Sequence, residues 1–89
     1  MTLAFPNDSR SYDEAGHRIR FVGYDGMFEV RFFVEIEALS KAVAKAISGE
    51  GAILAAFDSI RGAILDVAKN AYARGKGKNM FILTEADFR

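Results

Sequence analysis

The sequence predicts an α+β fold: a single four-stranded antiparallel sheet, in the order β-β-β-α-α-β, with two helices packed on one face. Three observations point there. The runs His17–Tyr24 and Met27–Val34 are rich in β-branched and aromatic residues and flank an Asp25-Gly26 pair, the composition of a tight hairpin. From Ile36 the apolar residues recur at helical spacing instead of alternating. A last apolar run, Met80–Leu83, reads as a further strand.

The elements follow in chain order. Phe5-Pro6-Asn7 is a lead-in, because Pro6 has no N–H to give to a central ladder. Ser9–Tyr12 reads as a short strand, and Asp13-Glu14-Ala15-Gly16 as the turn into His17. Asp25-Gly26 supplies the positive φ angles of a type I′ turn. That turn sets Tyr24 opposite Met27, Val22 opposite Glu29, Arg20 opposite Arg31 and Arg18 opposite Phe33. The alternate set pairs Gly23 with Phe28, Phe21 with Val30 and Ile19 with Phe32; it is wholly apolar and is the expected core face.

Ile36, Leu39, Val43 and Ile47 define the first helix, with Glu35 and Glu37 early and Lys41 and Lys45 late, as the helix dipole favours. Ser48-Gly49-Glu50-Gly51 breaks it. A second helix is expected from about Ala52 to Arg74, with the stripe Ile53, Phe57, Ile60, Ile64, Val67 and Ala71. Gly62 inside it costs ~1 kcal/mol relative to Ala unless close packing needs it, and Gly75 is placed as its C′ residue. Lys76-Gly77-Lys78 leads into Met80–Leu83, which is apolar on both faces. Two helices reverse the chain twice, so this strand is expected antiparallel, beside either the first or the third strand, with the first preferred. Thr84-Glu85-Ala86-Asp87 resembles a capping box opening a final turn anchored by Phe88.

Composition narrows the function. The chain has 89 residues, 12 Lys+Arg against 12 Asp+Glu, one His and no Cys. Residues 1–89 are expected to form one domain. Zero formal charge argues against polyanion binding as the first reading. Without Cys there is no disulfide scaffold, Cys-zinc site or thiol catalysis. No secretion signal and no run long enough for a membrane span appears, so a cytoplasmic location is expected, with no membrane partner.

Chemistry-bearing motifs are sparse. His17 is the only histidine, and Asp13 across the turn is placed to orient it, with Tyr12 adjacent. A catalytic role also needs a cleft and a nucleophile, which nothing in the sequence identifies. Asp13-Glu14 is too sparse for a hard-cation cage. Gly49-Glu50-Gly51 lacks the strand and the third glycine of a dinucleotide fingerprint, and Gly75-Lys76-Gly77-Lys78 lacks the Walker pattern. No metal, cofactor or catalytic residue is therefore expected.

Two segments carry a family resemblance. Phe5-Pro6-Asn7 followed by Ser9-Arg10-Ser11-Tyr12-Asp13 is one; Ile19-Arg20-Phe21-Val22-Gly23-Tyr24-Asp25-Gly26, continuing through Glu29-Val30 to Phe32-Phe33-Val34, is the other. Together they resemble the small bacterial family called domain of unknown function 1488, more loosely so through to Ala86-Asp87-Phe88. The resemblance implies a bacterial source, a single-domain α+β fold and no established activity. It supplies no functional residues.

The outer sheet face is the most informative surface. It carries Arg18, Arg20, Tyr24, Arg31 and Phe33, with Arg10 or Tyr12 adding to it. Tyr, Phe and Arg are enriched in protein interfaces. The first reading is a non-enzymatic protein-interaction module that binds through this face, with Tyr24 and Phe33 as anchors, and self-associates as a homodimer. One alternative is a nucleic-acid accessory protein using the same arginines and aromatics. Another is a small-ligand binder or enzyme with a site near Tyr12, Asp13 and His17.

Overall fold

The computed structural model describes residues 3–75 and 77–88. Lys76, part of the expected basic loop, lies outside them. The fold is α+β, with one sheet and helices on one of its faces. The strands are β1 (Leu3–Ala4), β2 (Arg10–Asp13), β3 (Arg18–Asp25), β4 (Phe28–Glu35) and β5 (Met80–Leu83). The helices are α1 (Ile36–Val43), α2 (Glu50–Ser59) and α3 (Arg61–Arg74), and a 3₁₀ turn closes the chain at Glu85–Phe88.

The hairpin forms, but its register differs by two residues from the expected one. Phe21 lies opposite Phe32, Ile19 opposite Val34, and Asp25 opposite Phe28. The loop is therefore Gly26-Met27, not Asp25-Gly26. Gly26 has φ +63° and Met27 is not among the positive-φ residues, the pattern of a type II′ turn. Two interactions outweigh the local turn preference. Phe21 stacks on Phe32 with centroids 5.4 Å apart. Asp25 leaves the loop, becomes buried, and accepts a 2.5 Å hydrogen bond from the Tyr72 hydroxyl of α3. A slip of two residues keeps every side chain on its face, so Ile19, Phe21, Val30 and Phe32 remain in the core as expected, joined by Val34, whereas Phe28, also expected there, is 73% exposed at the end of the hairpin.

The sheet has five strands, not four. β1 and β2 share one edge: Leu3–Ala4 pairs with Asp25–Tyr24, and Arg10–Asp13 with Phe21–Arg18. Phe5–Ser9, containing Pro6, leaves the ladder between them. Phe5 turns back onto the core face, 5.9 Å from Phe21 and 5.7 Å from Phe32. It covers Gly23, where a Cβ would stand 2.7 Å from Phe5 Cε1. The glycine is there for this approach.

β5 pairs with β4, the third of the expected strands and not the preferred first, and corrects the expected direction by running parallel to it. The chain between β4 and β5 holds three helices rather than two, a crossover of the length that parallel pairing needs. Phe81 fixes the position by stacking on Phe32 at 5.4 Å and meeting the edge of Tyr72 at 5.9 Å. Gly75 serves this packing. Its φ is −105°, so it is no left-handed cap, but a Cβ there would stand 2.6 Å from the Phe81 ring.

The expected long second helix is broken at Ile60, whose φ of −123° is not helical. Ser59 Oγ donates to the Ala56 carbonyl at 2.7 Å, a local bond that competes with helix continuation. The Asp58 carboxylate sits at the break. It accepts two bonds from Arg10, at 2.9 and 2.8 Å, and one from Arg61 at 2.8 Å. The first helix also ends early, at Ala44 in the left-handed conformation (φ +60°). Ile47 therefore lies beyond the helix, yet still packs on the core. At the C-terminus the Thr84 N–H donates to Asp87 Oδ2 at 2.8 Å, one half of the expected capping box.

All three helices bury residues into one cluster: Ile36, Ala38 and Leu39 from α1, Ile53, Ala56 and Phe57 from α2, Ile64, Ala68 and Ala71 from α3. Phe57, fully buried, meets Phe21 edge-on at 5.3 Å. Burying such a side chain is worth roughly 1.5–3 kcal/mol.

Two stability predictions follow from these contacts. Gly23→Ala should cost about 1–3 kcal/mol through overpacking against Phe5, and the cost should largely vanish in a Phe5→Ala background; denaturant unfolding of the four proteins of that cycle measures it. Tyr72→Phe should lower stability by about 1–3 kcal/mol in the same assay, because the buried Asp25 carboxylate loses its donor.

Candidate functional site

The registers define the outer face row by row. Asp13, Arg18 and Glu35 form the first row; Ser11, Arg20, Phe33 and Ile82 the second. Val22, Arg31 and Met80 form the third, and Ala4, Tyr24 and Glu29 the fourth. The helices occupy the opposite face. The two middle rows thus interleave apolar Val22, Phe33, Met80 and Ile82 with Arg20 and Arg31, and Met80 and Ile82 lie on the edge strand β5. Arg18, Arg20 and Arg31 balance Asp13, Glu29 and Glu35, three against three.

The five sequence-derived surface residues, Arg18, Arg20, Tyr24, Arg31 and Phe33, do share this face. Two details differ from expectation. Arg20 lies opposite Phe33 and Arg31 opposite Val22, so the expected like-charge pair does not form. Phe33 is only 8% exposed, the one buried apolar side chain outside the core cluster among the described residues. Its cover is Arg18, whose guanidinium carbon lies 3.9 Å from the ring centroid, a cation–π arrangement. Arg18 is held there by Asp13, which accepts its Nε–H at 3.0 Å. The same carboxylate accepts the Gly16 N–H at 3.1 Å.

Arg10 and Tyr12 do not add to the face. Their partners Phe21 and Ile19 point to the core, so both lie on the helix side. Sequence reasoning missed Met80 and Ile82, 44% and 41% exposed. The signal was the double-sided apolar pattern of β5, which reads as a strand covered on both faces; here its outer side is open.

The grouping of Tyr12, Asp13 and His17 does not form a site. Tyr12 and Asp13 are consecutive in β2 and point to opposite faces. Asp13 is engaged by Gly16 and Arg18 and does not orient His17. His17 adopts φ +55° at the end of its turn, and its Nε2 stands 3.6 Å from Glu37. It borders an open cleft of about 460 Å³ with Ile36, Ser40, Lys41, Ile47 and Glu85. That cleft had no signature in the sequence, because it joins the first turn to the ends of α1 and β5.

Among the described residues, no helix is long and apolar enough to cross a membrane. The chain matches the family described as Protein of unknown function (DUF1488) over residues 3–83. The chain belongs to this family. A solved structure, a protein of unknown function from the DUF1488 family of Shewanella loihica PV-4, is similar with a TM-score of 0.78 at 14% identity. The alignment covers 91% of this chain and 90% of that one. At this identity the likeness carries the fold. Comparison with curated proteins finds no match. Membership of the family agrees with the resemblance read from the two N-terminal segments, and it assigns no activity.

The Asp13 carboxyl is held below its ordinary pKa, first by the Gly16 N–H and then by Arg18. A depressed carboxyl stabilises the fold above the unfolded value and loses that contribution as pH falls through the folded value. The clasp over Phe33 is therefore expected intact at neutral pH and released only in acid. An NMR titration of the Asp13 carboxyl carbon should give a midpoint below about 3.9, and Arg18→Gln should move it upward.

Proposed function

We propose that this protein is a non-enzymatic interaction module, folded as a single domain, that self-associates through the outer face of its sheet. One observation carries the reading: apolar Val22, Phe33, Met80 and Ile82 lie among equal numbers of arginines and acids on a face that no helix covers, with Met80 and Ile82 exposed along the β5 edge. Interface cores are apolar with Phe, Tyr, Met and Arg enriched, and rims are polar. Balanced charge suits a surface that meets a copy of itself. A small protein gains buried apolar area by pairing, and a two-fold dimer is the commonest arrangement.

The balance of charge disfavours the nucleic-acid alternative on the same residues. A polyanion groove needs excess positive potential, and Asp13, Glu29 and Glu35 cancel Arg18, Arg20 and Arg31.

Size exclusion with light scattering, read at protein and nucleic-acid wavelengths, tests the proposal. The expected mass is twice the 9.8 kDa of the chain, without excess nucleic-acid absorbance. Ile82→Lys places a charge at an exposed site on the β5 edge and should yield a monomer with unchanged circular dichroism. A wild-type monomer overturns the proposal. Bound nucleic acid that strips with salt transfers the face to the alternative.

A further inference from the structure

We infer that β5 is a pairing edge: a second copy adds its own β5 antiparallel to it, about a two-fold axis beside Phe81 and normal to the sheet. The inference rests on the self-association reading above and places the contact at the edge of that face.

The two edges of the sheet differ. The β1–β2 edge is interrupted at Phe5–Ser9, which contains Pro6, and carries Arg10 and Asp13. Proline, charge and interruption are the usual ways of blunting an edge. The β5 edge, Met80-Phe81-Ile82-Leu83, has none of them.

The hydrogen-bond phase of β5 shows what that edge offers. The Arg31 N–H donates to the Asn79 carbonyl at 2.9 Å. With the parallel register, this turns the backbone groups of Phe81 and Leu83 toward β4 and those of Met80 and Ile82 away from the sheet. The next outward amides on either side are engaged within the chain. The Lys78 N–H donates to the Gly75 carbonyl at 3.2 Å, and the Thr84 N–H to Asp87 Oδ2 at 2.8 Å. The open stretch is therefore Met80 and Ile82, placed symmetrically about Phe81. A two-fold axis at Phe81 lets Met80 exchange both bonds with Ile82 of the second copy, and Ile82 with Met80.

The side chains favour a copy over a foreign strand. On the outer face, Met80 and Ile82, 44% and 41% exposed, gain each other as cross-strand neighbours. On the helix side, Phe81 meets Phe81 of the second copy, so the stack of Phe21, Phe32 and Phe81 continues across the axis. At either end, exposed Lys78 comes opposite Thr84 of the other copy, next to exposed Glu85. Unlike charges meet twice.

Light scattering and amide hydrogen exchange by NMR, over a dilution series of the whole chain, test the edge. As the dimer forms, the Met80 and Ile82 amides should exchange about tenfold more slowly. Met80→Pro removes a donor that faces away from β4, a position where an edge strand tolerates proline, and should be monomeric with unchanged circular dichroism. Where that variant unfolds, charge exchange replaces it: Lys78→Glu should weaken the dimer about fivefold, and adding Glu85→Lys should restore it. A dimer whose Met80 and Ile82 amides exchange at one rate across the series overturns the edge and leaves the face as the interface. A folded Met80→Pro that stays dimeric does the same. A monomeric wild type overturns both.

Discussion

The fold depends on one aligned row of phenylalanines. Phe21, Phe32 and Phe81 are cross-strand partners in β3, β4 and β5, and they stack at 5.4 Å from each strand to the next. Stacked aromatic pairs add about 0.5–1.5 kcal/mol each beyond the area they bury. Phe5 extends the row at one side, over Gly23, and Phe57 seals it from α2. Gly75 clears the space for Phe81. Two glycines, one lead-in segment and the position of the last strand are all set by the row.

The row also explains which parts of the fold were legible in the sequence. The core face of the hairpin was, because alternation survives any even slip in register. Register itself was read from Asp25-Gly26, a local rule, and the rule lost to two contacts distant in sequence: Phe21 on Phe32, and Asp25 with Tyr72. The parallel placement of β5 was hidden for a similar reason. It follows from a third helical segment, and the break that creates it, at Ile60, carries no proline and only a mild local signal in Ser59. Gly62, just after the break, fills no close contact, since a Cβ there would meet nothing within 4 Å. It is a propensity weakness next to the break and not a packing requirement.

The candidate surface was legible to the same depth. Face membership of Arg18, Arg20, Tyr24, Arg31 and Phe33 depends only on alternation along β3 and β4 and holds. Membership of Arg10 and Tyr12 depends on the pairing of a short edge strand, and fails. The contribution of Met80 and Ile82 depends on the topology of β5, and was invisible. Phe33 needed one further step. Its seclusion comes from Arg18 turning across the face under the hold of Asp13, a side-chain arrangement that no periodicity encodes.

Core and surface are coupled through the register. With the turn at Asp25-Gly26, Arg20 and Arg31 would sit side by side and repel, and the face would present a compact positive centre to any anion. The observed slip separates them, sets an apolar or aromatic residue opposite each, and aligns Arg18 with Glu35. It also withdraws Asp25 into the interior and delivers Met27 to the tip in its place. A choice made inside the core, Phe21 against Phe32, thereby breaks up a compact positive centre without changing the net charge of the face, and exchanges a polar hairpin tip for an apolar one. Whatever meets this surface meets a pattern that the aromatic row has already fixed.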